Sequence, residues 1–332
     1  MMRSLFGLLT AGTVGMNAVL GQFSEPYEPE WTLVATGDVI PARSVNYQMT
    51  TRKDFLWPIR DIAPLLAYAD LTLINLESPL VPKCPLTNTG MVFCGDQRFV
   101  EALSFAGVDI ANLANNHILN HGWEGVRETE YSLSKPGIET TGPITEGACA
   151  YQAYFCSKKV IKTVKGMKIG FAGYTIVGKK VDEEVLTSDI AQLDSQVDVL
   201  IVSFHWGREY SRLPVGEPDD PRVIGRLSVD SGADVVIGNH PHWIQGMEYY
   251  REKPIFYALG NTIFDQEWSK ETKEGIITEF RFRGTNITDI TIHPLRITGY
   301  GRAQLLNGKE KEEILEVFQQ ATSQLATTPI GN

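Results

Sequence analysis

The chain of 332 residues is 43% hydrophobic and 21% charged, the balance of a globular protein and not of a disordered one. A formal net charge of −10 argues against a general binder of nucleic acid or acidic membrane, because both would repel it. The length suits one large domain or two ordinary ones.

Met1-Met2-Arg3 leads into an apolar, small-residue run from Leu5 to Leu20 that stops at Gly21-Gln22 before Ser24-Glu25-Pro26. This is the layout of a secretory signal peptide, expected over residues 1–21, with an apolar run too short for a firm membrane span. An uncleaved signal-anchor is the alternative. The four cysteines agree with an oxidising compartment. Two local bridges, Cys84–Cys94 and Cys149–Cys156, need the least chain rearrangement.

Past the entry segment, Trp31–Thr36 reads as a first strand ending at Gly37-Asp38. A helical stretch over 58–68 leads to a strand over Leu71–Asn75 that ends at Leu76-Glu77. A turn-rich cysteine loop precedes a helix over 97–106 and a third strand, Val108–Leu113, which runs into Ala114-Asn115-Asn116-His117. Residues 122–134 look helical, and 137–141 form a short strand. Hairpin character over 150–165 precedes a core strand, Lys168–Gly173. After a helix over 189–196, Asp198–Phe204 is the most apolar strand and ends at His205-Trp206-Gly207. A helix over 218–231 delivers the chain to Val235-Val236-Ile237, a β-branched run of the kind buried on both faces of a sheet. Strand-like runs at 255–259, 275–282 and 286–294 follow without helices between them, and 307–327 forms a terminal helix. Helix–strand alternation giving way to adjacent strands predicts one α/β domain with a mixed sheet or two stacked sheets.

After Ile237 come Gly238-Asn239-His240-Pro241-His242. Two imidazoles at i and i+2 can aim at one point only if the backbone leaves strand geometry, a turn expected from the Gly before and the Pro between. Such a pair at a strand end is a candidate metal site, or else a pair of turn caps. Asp38, Glu77, Asn116, His117 and His205 stand at other strand ends. Two carboxylates and several imidazoles converging on one sheet edge would be costly to desolvate without cations.

Gly37-Asp38-Val-Ile-Pro-Ala-Arg43, Asn75-Leu-Glu77-Ser-Pro79, Ala114-Asn-Asn-His117, His205-Trp-Gly-Arg-Glu-Tyr210, Gly238-Asn-His-Pro-His242 and Leu259-Gly-Asn-Thr-Ile-Phe-Asp-Gln266 resemble, in order, the motif series of the CapA family of capsule synthesis (poly-γ-glutamate biosynthesis) proteins. That family is in turn similar to the calcineurin-like metallophosphoesterases. The resemblance implies an α/β fold, a two-sheet β-sandwich flanked by helices in four α/β/β/α layers. It spans 30–300, with 301–332 as a C-terminal helical extension. It further implies one or two divalent ions (Mn, Fe or Zn) held by Asp38, Glu77, Asn116, His205, His240 and His242, with Glu77 bridging. Ile40 stands where the superfamily has a further histidine, which leaves one ion as the alternative to two. His117 would face the leaving group, while Asn120 replaces an aspartate common in relatives.

Arg43 is a candidate for holding an anionic substrate group, or for pairing with a carboxylate. Glu209 and Glu248 are candidates for supporting ligand imidazoles. The implied function is an exported metal-dependent hydrolase of phosphoester or γ-glutamyl amide bonds in capsule or envelope-polymer metabolism. The alternative is a non-catalytic factor that binds or guides poly-γ-glutamate beside the capsule-synthesis machinery. Leader removal is directly checkable: N-terminal sequencing of secreted protein should start within a few residues of Gln22, whereas an intact Met1 in membranes would identify a signal-anchor.

Overall fold

A computed structural model describes residues 28–143, 157–216, 218–328 and 330. The first half alternates strands and helices: β1 (Glu30–Val39), α1 (Ser44–Arg52), α2 (Ala63–Tyr68), β2 (Leu71–Leu76), β3 (Leu80–Val81), β4 (Gly95–Asp96), α3 (Phe99–Phe105), β5 (Ile110–Asn112), α4 (Gly122–Ser134) and β6 (Glu139–Thr141). A hairpin, β7 (Val160–Val164) and β8 (Met167–Thr175), opens the second half. It turns at Lys165-Gly166, both at positive φ. Then come α5 (Glu183–Asp194), β9 (Val199–His205), α6 (Pro221–Asp230) and β10 (Val235–Asn239). The last strands are β11 (Met247–Tyr250), β12 (Lys253–Phe256), β13 (Asn261–Ile263), β14 (Glu274–Arg283), β15 (Asn286–Thr298) and β16 (Arg302–Leu305), and α7 (Gly308–Thr327) closes the chain.

Two sheets result. One runs β16-β15-β14-β1-β2-β5-β6, with β13 also pairing with β1; the other runs β11-β12-β10-β9-β8-β7. Strand alternation divides the core into three layers. Leu33 and Ala35 of β1, Ile201 of β9 and Val235 and Ile237 of β10 fill the space between the sheets. Val34 and Ile74 point the other way, onto Val45, Leu66, Leu103 and Val126 of the first four helices. Val202 and Val236 meet Ile190 of α5 and Ile224 of α6 on the far side. A strand whose successive side chains enter two different cores must be largely apolar, as β9 is apart from Ser203 and the terminal His205, and β10 is up to Asn239. The four-layer α/β/β/α sandwich expected from the resemblance is therefore the observed fold.

Two expectations change, and one helix is not announced by the sequence. Helix α1 has the polar sequence SVNYQMTTR and is not announced by periodicity; it buries only Val45, Asn46 and Met49. Residues past 301 begin with β16, paired to β15, and α7 then packs Ile314 and Phe318 into the inter-sheet core. They are integral to the sandwich because those two residues, four apart, share one helix face. Glu248 meets no imidazole. On β11 it accepts from Arg226 Nε and Nη2 of α6 (2.8 and 2.6 Å) and from Tyr257 Oη (2.8 Å). Among the described residues no helix is long and apolar enough to cross a membrane.

Burial alone would raise the Glu248 carboxyl, but its bonds to Arg226 and Tyr257 outweigh it and hold it below its ordinary value. A carboxyl depressed in the fold stabilises above its unfolded pKa and loses that contribution as pH falls through the folded value. Glu248→Gln should therefore cost about 1–3 kcal/mol at pH 7. The gap to wild type should close as thermal melts are taken below about pH 4; a gap independent of pH would contradict this pairing.

Candidate metal centre and adjoining cleft

The parallel strands of both sheets deliver their C-terminal ends to one place. β1 pairs with β2 so that Asp38 lies beside Asn75, just before Glu77 in the chain. β9 pairs with β10 so that His205 lies beside Asn239, immediately before His240. Gly238 still belongs to β10 and does not make the turn; any Cβ there would collide with Tyr257 O and Trp206 Nε1. The turn is made by the histidines themselves, with φ of 98° at His240 and 57° at His242. Non-glycine residues held there carry strain on the order of 1–3 kcal/mol each, which the surrounding sandwich must offset.

Asp38, Glu77, His205, His240 and His242 are all buried. Two sets of donors form. Glu77, His205 and His240 bring one ligand atom each within 4.8 Å of one another, and so do Asp38, Glu77 and His242. His205 Nε2 lies 2.9 Å from Asn116 Oδ1, 3.1 Å from His240 Nδ1 and 3.3 Å from Glu77 Oε1. His242 Nδ1 lies 3.2 Å from Asp38 Oδ2 and 2.9 Å from Asn261 Oδ1. Asn116 itself is exposed, so it closes the cluster from the solvent side. All six expected ligand positions are thus brought together. Ile40 is packed in the helix-side core and contributes nothing.

Glu77 decides how the cluster is to be read. Its side chain is 0% exposed, and neither carboxylate oxygen has a hydrogen-bond partner. An unpaired buried carboxylate costs several kcal/mol. Burial, and then the neighbouring Asp38 carboxylate, push its pKa well above the ordinary range. Asp38 differs: burial would raise it, but the His242 hydrogen bond and charge outweigh burial and hold it low. Burial drives His205 to about 4 and, joined by the nearby imidazoles, drives His240 well down. Both are then neutral, the state that offers a lone pair to a metal. His242 is pushed up to about 9, because Glu77 and Asp38 outweigh its burial. Oxygen and imidazole donors around an orphaned carboxylate fit divalent first-row ions.

Residues not singled out as site residues hold this set in place. Asn75 Nδ2 donates to Asp38 Oδ1 (2.8 Å), Asn112 Nδ2 donates to Asn75 Oδ1 (3.2 Å), and Thr141 Oγ1 donates to Asn112 Oδ1 (3.2 Å). Buried amides in strand interiors were the available signal, since they are rare there without a polar task. His117 stacks on Phe93 with centroids 4.0 Å apart, and its Nδ1 lies 3.0 Å from Asn120 Oδ1, which also accepts from Phe93 N (2.7 Å). Phe93 adjoins the observed Cys84–Cys94 disulfide. Cys149 and Cys156 lie outside the described residues.

An open cleft of about 570 Å³ adjoins the cluster and reaches His117, His242 and Glu209. Glu209 lines this cleft. Arg43 lies on the cleft wall, its guanidinium 4.8 Å from the centroids of both Phe93 and Phe264. It is paired to Asp265, whose other oxygen accepts from Ser44 N (2.9 Å) at the start of α1. His293 pairs with Glu279 far from the cleft (2.8 Å).

With this geometry in hand, the family model described as "Bacterial capsule synthesis protein PGA_cap" matches residues 32–266. The chain belongs to that family. It is similar to the capsule biosynthesis protein CapA of Bacillus anthracis, with 24% identity over 314 residues covering 88% of this chain and 74% of the relative. It is also similar to the PGA biosynthesis protein CapA of Bacillus subtilis, at 27% over 278 residues, 77% and 70% of the two chains. Among solved structures, a hypothetical protein from Thermus thermophilus shares the fold. Its TM-score is 0.50 and its identity 15%, over 80% of this chain and 99% of that one. The matched span contains every strand-end donor of the PGA_cap chain described above, from Asp38 to His242.

A sign reversal tests the reading of Glu77. In chelator, Glu77→Gln should be at least as stable as wild type, because the substitution removes a buried unpaired carboxyl. With saturating Mn²⁺ or Zn²⁺ the wild type should gain more stability than the variant. Equal metal-induced shifts in Tm for both proteins would show that Glu77 holds no ion.

Proposed function

We propose that this PGA_cap-family chain is an exported, metal-dependent hydrolase acting in poly-γ-glutamate capsule or related cell-envelope polymer metabolism. The observation that carries the reading is the buried Glu77 carboxyl, without a hydrogen bond and shared by two donor sets, one of which reaches an open cleft through His242. Bound there by Asp38, Glu77, Asn116, His205, His240 and His242, Mn, Fe or Zn would supply Lewis acidity to a phosphoryl or acyl centre. The Cys84–Cys94 bridge is consistent with export.

His117 is the proton-handling residue in this scheme. Asn120 Oδ1 can only accept, so the proton of the neutral imidazole sits on Nδ1 and Nε2 is the free atom. Burial lowers His117 to about 4. The resting imidazole at neutral pH therefore takes a proton at Nε2 before it can give one. Arg43, wedged between two rings and paired with Asp265, fixes the cleft wall and the start of α1. In this proposal it steers an anionic group only at its exposed edge.

The relatives' names favour a second reading, because they describe biosynthesis and not hydrolysis. In it the chain binds or guides polymer beside the synthesis machinery and turns nothing over. Two variants separate the readings. His240→Ala should lower metal content. His117→Ala should keep metal and fold while turnover of a phosphodiester or of poly-γ-glutamate falls by roughly 10²–10⁴. Metal lost in both variants would make His117 a ligand. Wild type that is fully metal-loaded but inactive on both substrates would leave the polymer-binding reading.

A further inference from the structure

The surface above the metal centre has a composition that the capsule polymer alone does not explain. The exposed aromatic side chains Trp268 (60%), Tyr300 (49%), Tyr47 (45%) and Tyr210 (36%) all line the cleft that reaches His117 and His242. They come from four separate segments of the chain, so no local packing need gathers them. Burying such rings elsewhere would be favourable, and leaving them in water at a cleft mouth calls for an occupant. The charges lining the same cleft are the Arg43 guanidinium and the His242 imidazole against two carboxylates, Glu209 and Asp265; Arg43 is committed to Asp265 and His242 to the buried Asp38. A run of glutamate carboxylates would meet no free cation on this wall. Apart from His117, the polar groups that remain are amides and hydroxyls: Gln48, Asn88, Ser44 and the tyrosine Oη atoms.

We infer that the cleft mouth is a carbohydrate subsite, which seats a neutral sugar ring attached to the group presented to the metal centre. The inference rests on the hydrolase reading only for that last connection; the binding surface stands on its own residues. Aromatic faces beside amide and hydroxyl side chains match a pyranose, which has an apolar C–H face and hydrogen-bonding hydroxyls around its edge. A flat aromatic base is less well served. Tyr210 and Trp268 meet at 83° with centroids 4.7 Å apart, so they form a corner and cannot sandwich a plane between them. Gln266 Nε2 donates to Tyr210 Oη (2.9 Å) and fixes that corner, leaving the Trp268 face as the platform.

The test is a binding measurement on the metal-loaded full chain, read by Trp fluorescence and calorimetry. The probes are neutral tetrasaccharides of glucose, N-acetylglucosamine and N-acetylgalactosamine, with poly-γ-glutamate as the anionic comparator. At least one neutral tetrasaccharide should bind, with little dependence on salt. Trp268→Ala should weaken it by roughly tenfold or more, while Trp268→Tyr restores most of the affinity. Metal content should stay unchanged in both variants, which separates loss of the platform from loss of the fold. No binding by any of the tetrasaccharides, or binding indifferent to Trp268→Ala, would overturn the subsite. So would tighter, salt-sensitive binding of poly-γ-glutamate that is lost in Trp268→Ala. Turnover of bis(p-nitrophenyl) phosphate on the same preparations reads the metal centre separately. Sugar binding without turnover keeps the subsite and counts against the hydrolase, whereas turnover with no sugar binding removes the subsite alone.

Discussion

The structure depends on one buried acid that no hydrogen bond satisfies. Glu77 follows β2 at a point where the two sheets converge, and no hydrogen bond within the described protein satisfies either of its oxygens. A fold that merely needed packing there would place an apolar side chain, as it does on either side at Leu76 and Leu80. A carboxyl retained in such a place is kept for a cation; the imidazoles of His205 and His240 are held neutral, and His242, pushed up to about 9, is already paired with Asp38. A cation between them reconciles carboxylate, imidazoles and burial at once.

Much of the surrounding sequence serves that arrangement. Gly238 lets β10 pass against Tyr257 and Trp206, which sets where His240 begins. His240 and His242 then accept a strained backbone to turn both rings inward. The Thr141–Asn112–Asn75 relay crosses three adjacent strands and ends on Asp38, so the register of β1, β2, β5 and β6 is coupled to the orientation of a donor. On the solvent side, the Cys84–Cys94 loop carries Phe93 onto His117 and Arg43. The loop bridge and the proton-handling residue are in this way mechanically joined.

How far this was legible in the sequence followed the range of the interactions. The strand ends could be read because the apolar runs of β2, β9 and β10 stop abruptly at polar residues, which marks Glu77, His205 and His240 without any tertiary knowledge. Helix α4, with its apolar face, lies over the residues expected of it. What could not be read depends on pairings far along the chain. β13 is three residues long and exists because Asn261 lies beside Asp38 in a parallel pairing. Helix α1 is anchored by Asp265, 221 residues away from Ser44. Glu248 looked like support for the adjacent histidines, but β11 turns its side chain toward α6. The aromatic cleft left no local signature, since Tyr47, Tyr210, Trp268 and Tyr300 meet only in the folded chain.

The central claim is that a divalent cation belongs at Glu77. Its most direct test is calorimetric titration of Mn²⁺ or Zn²⁺ into chelator-stripped protein, run in two buffers of different ionisation enthalpy. The account predicts one or two ions bound per chain. It also predicts release of protons on binding, because the carboxyl that burial holds protonated must ionise to ligate. Heats indistinguishable from dilution, with no metal retained after desalting, would contradict it.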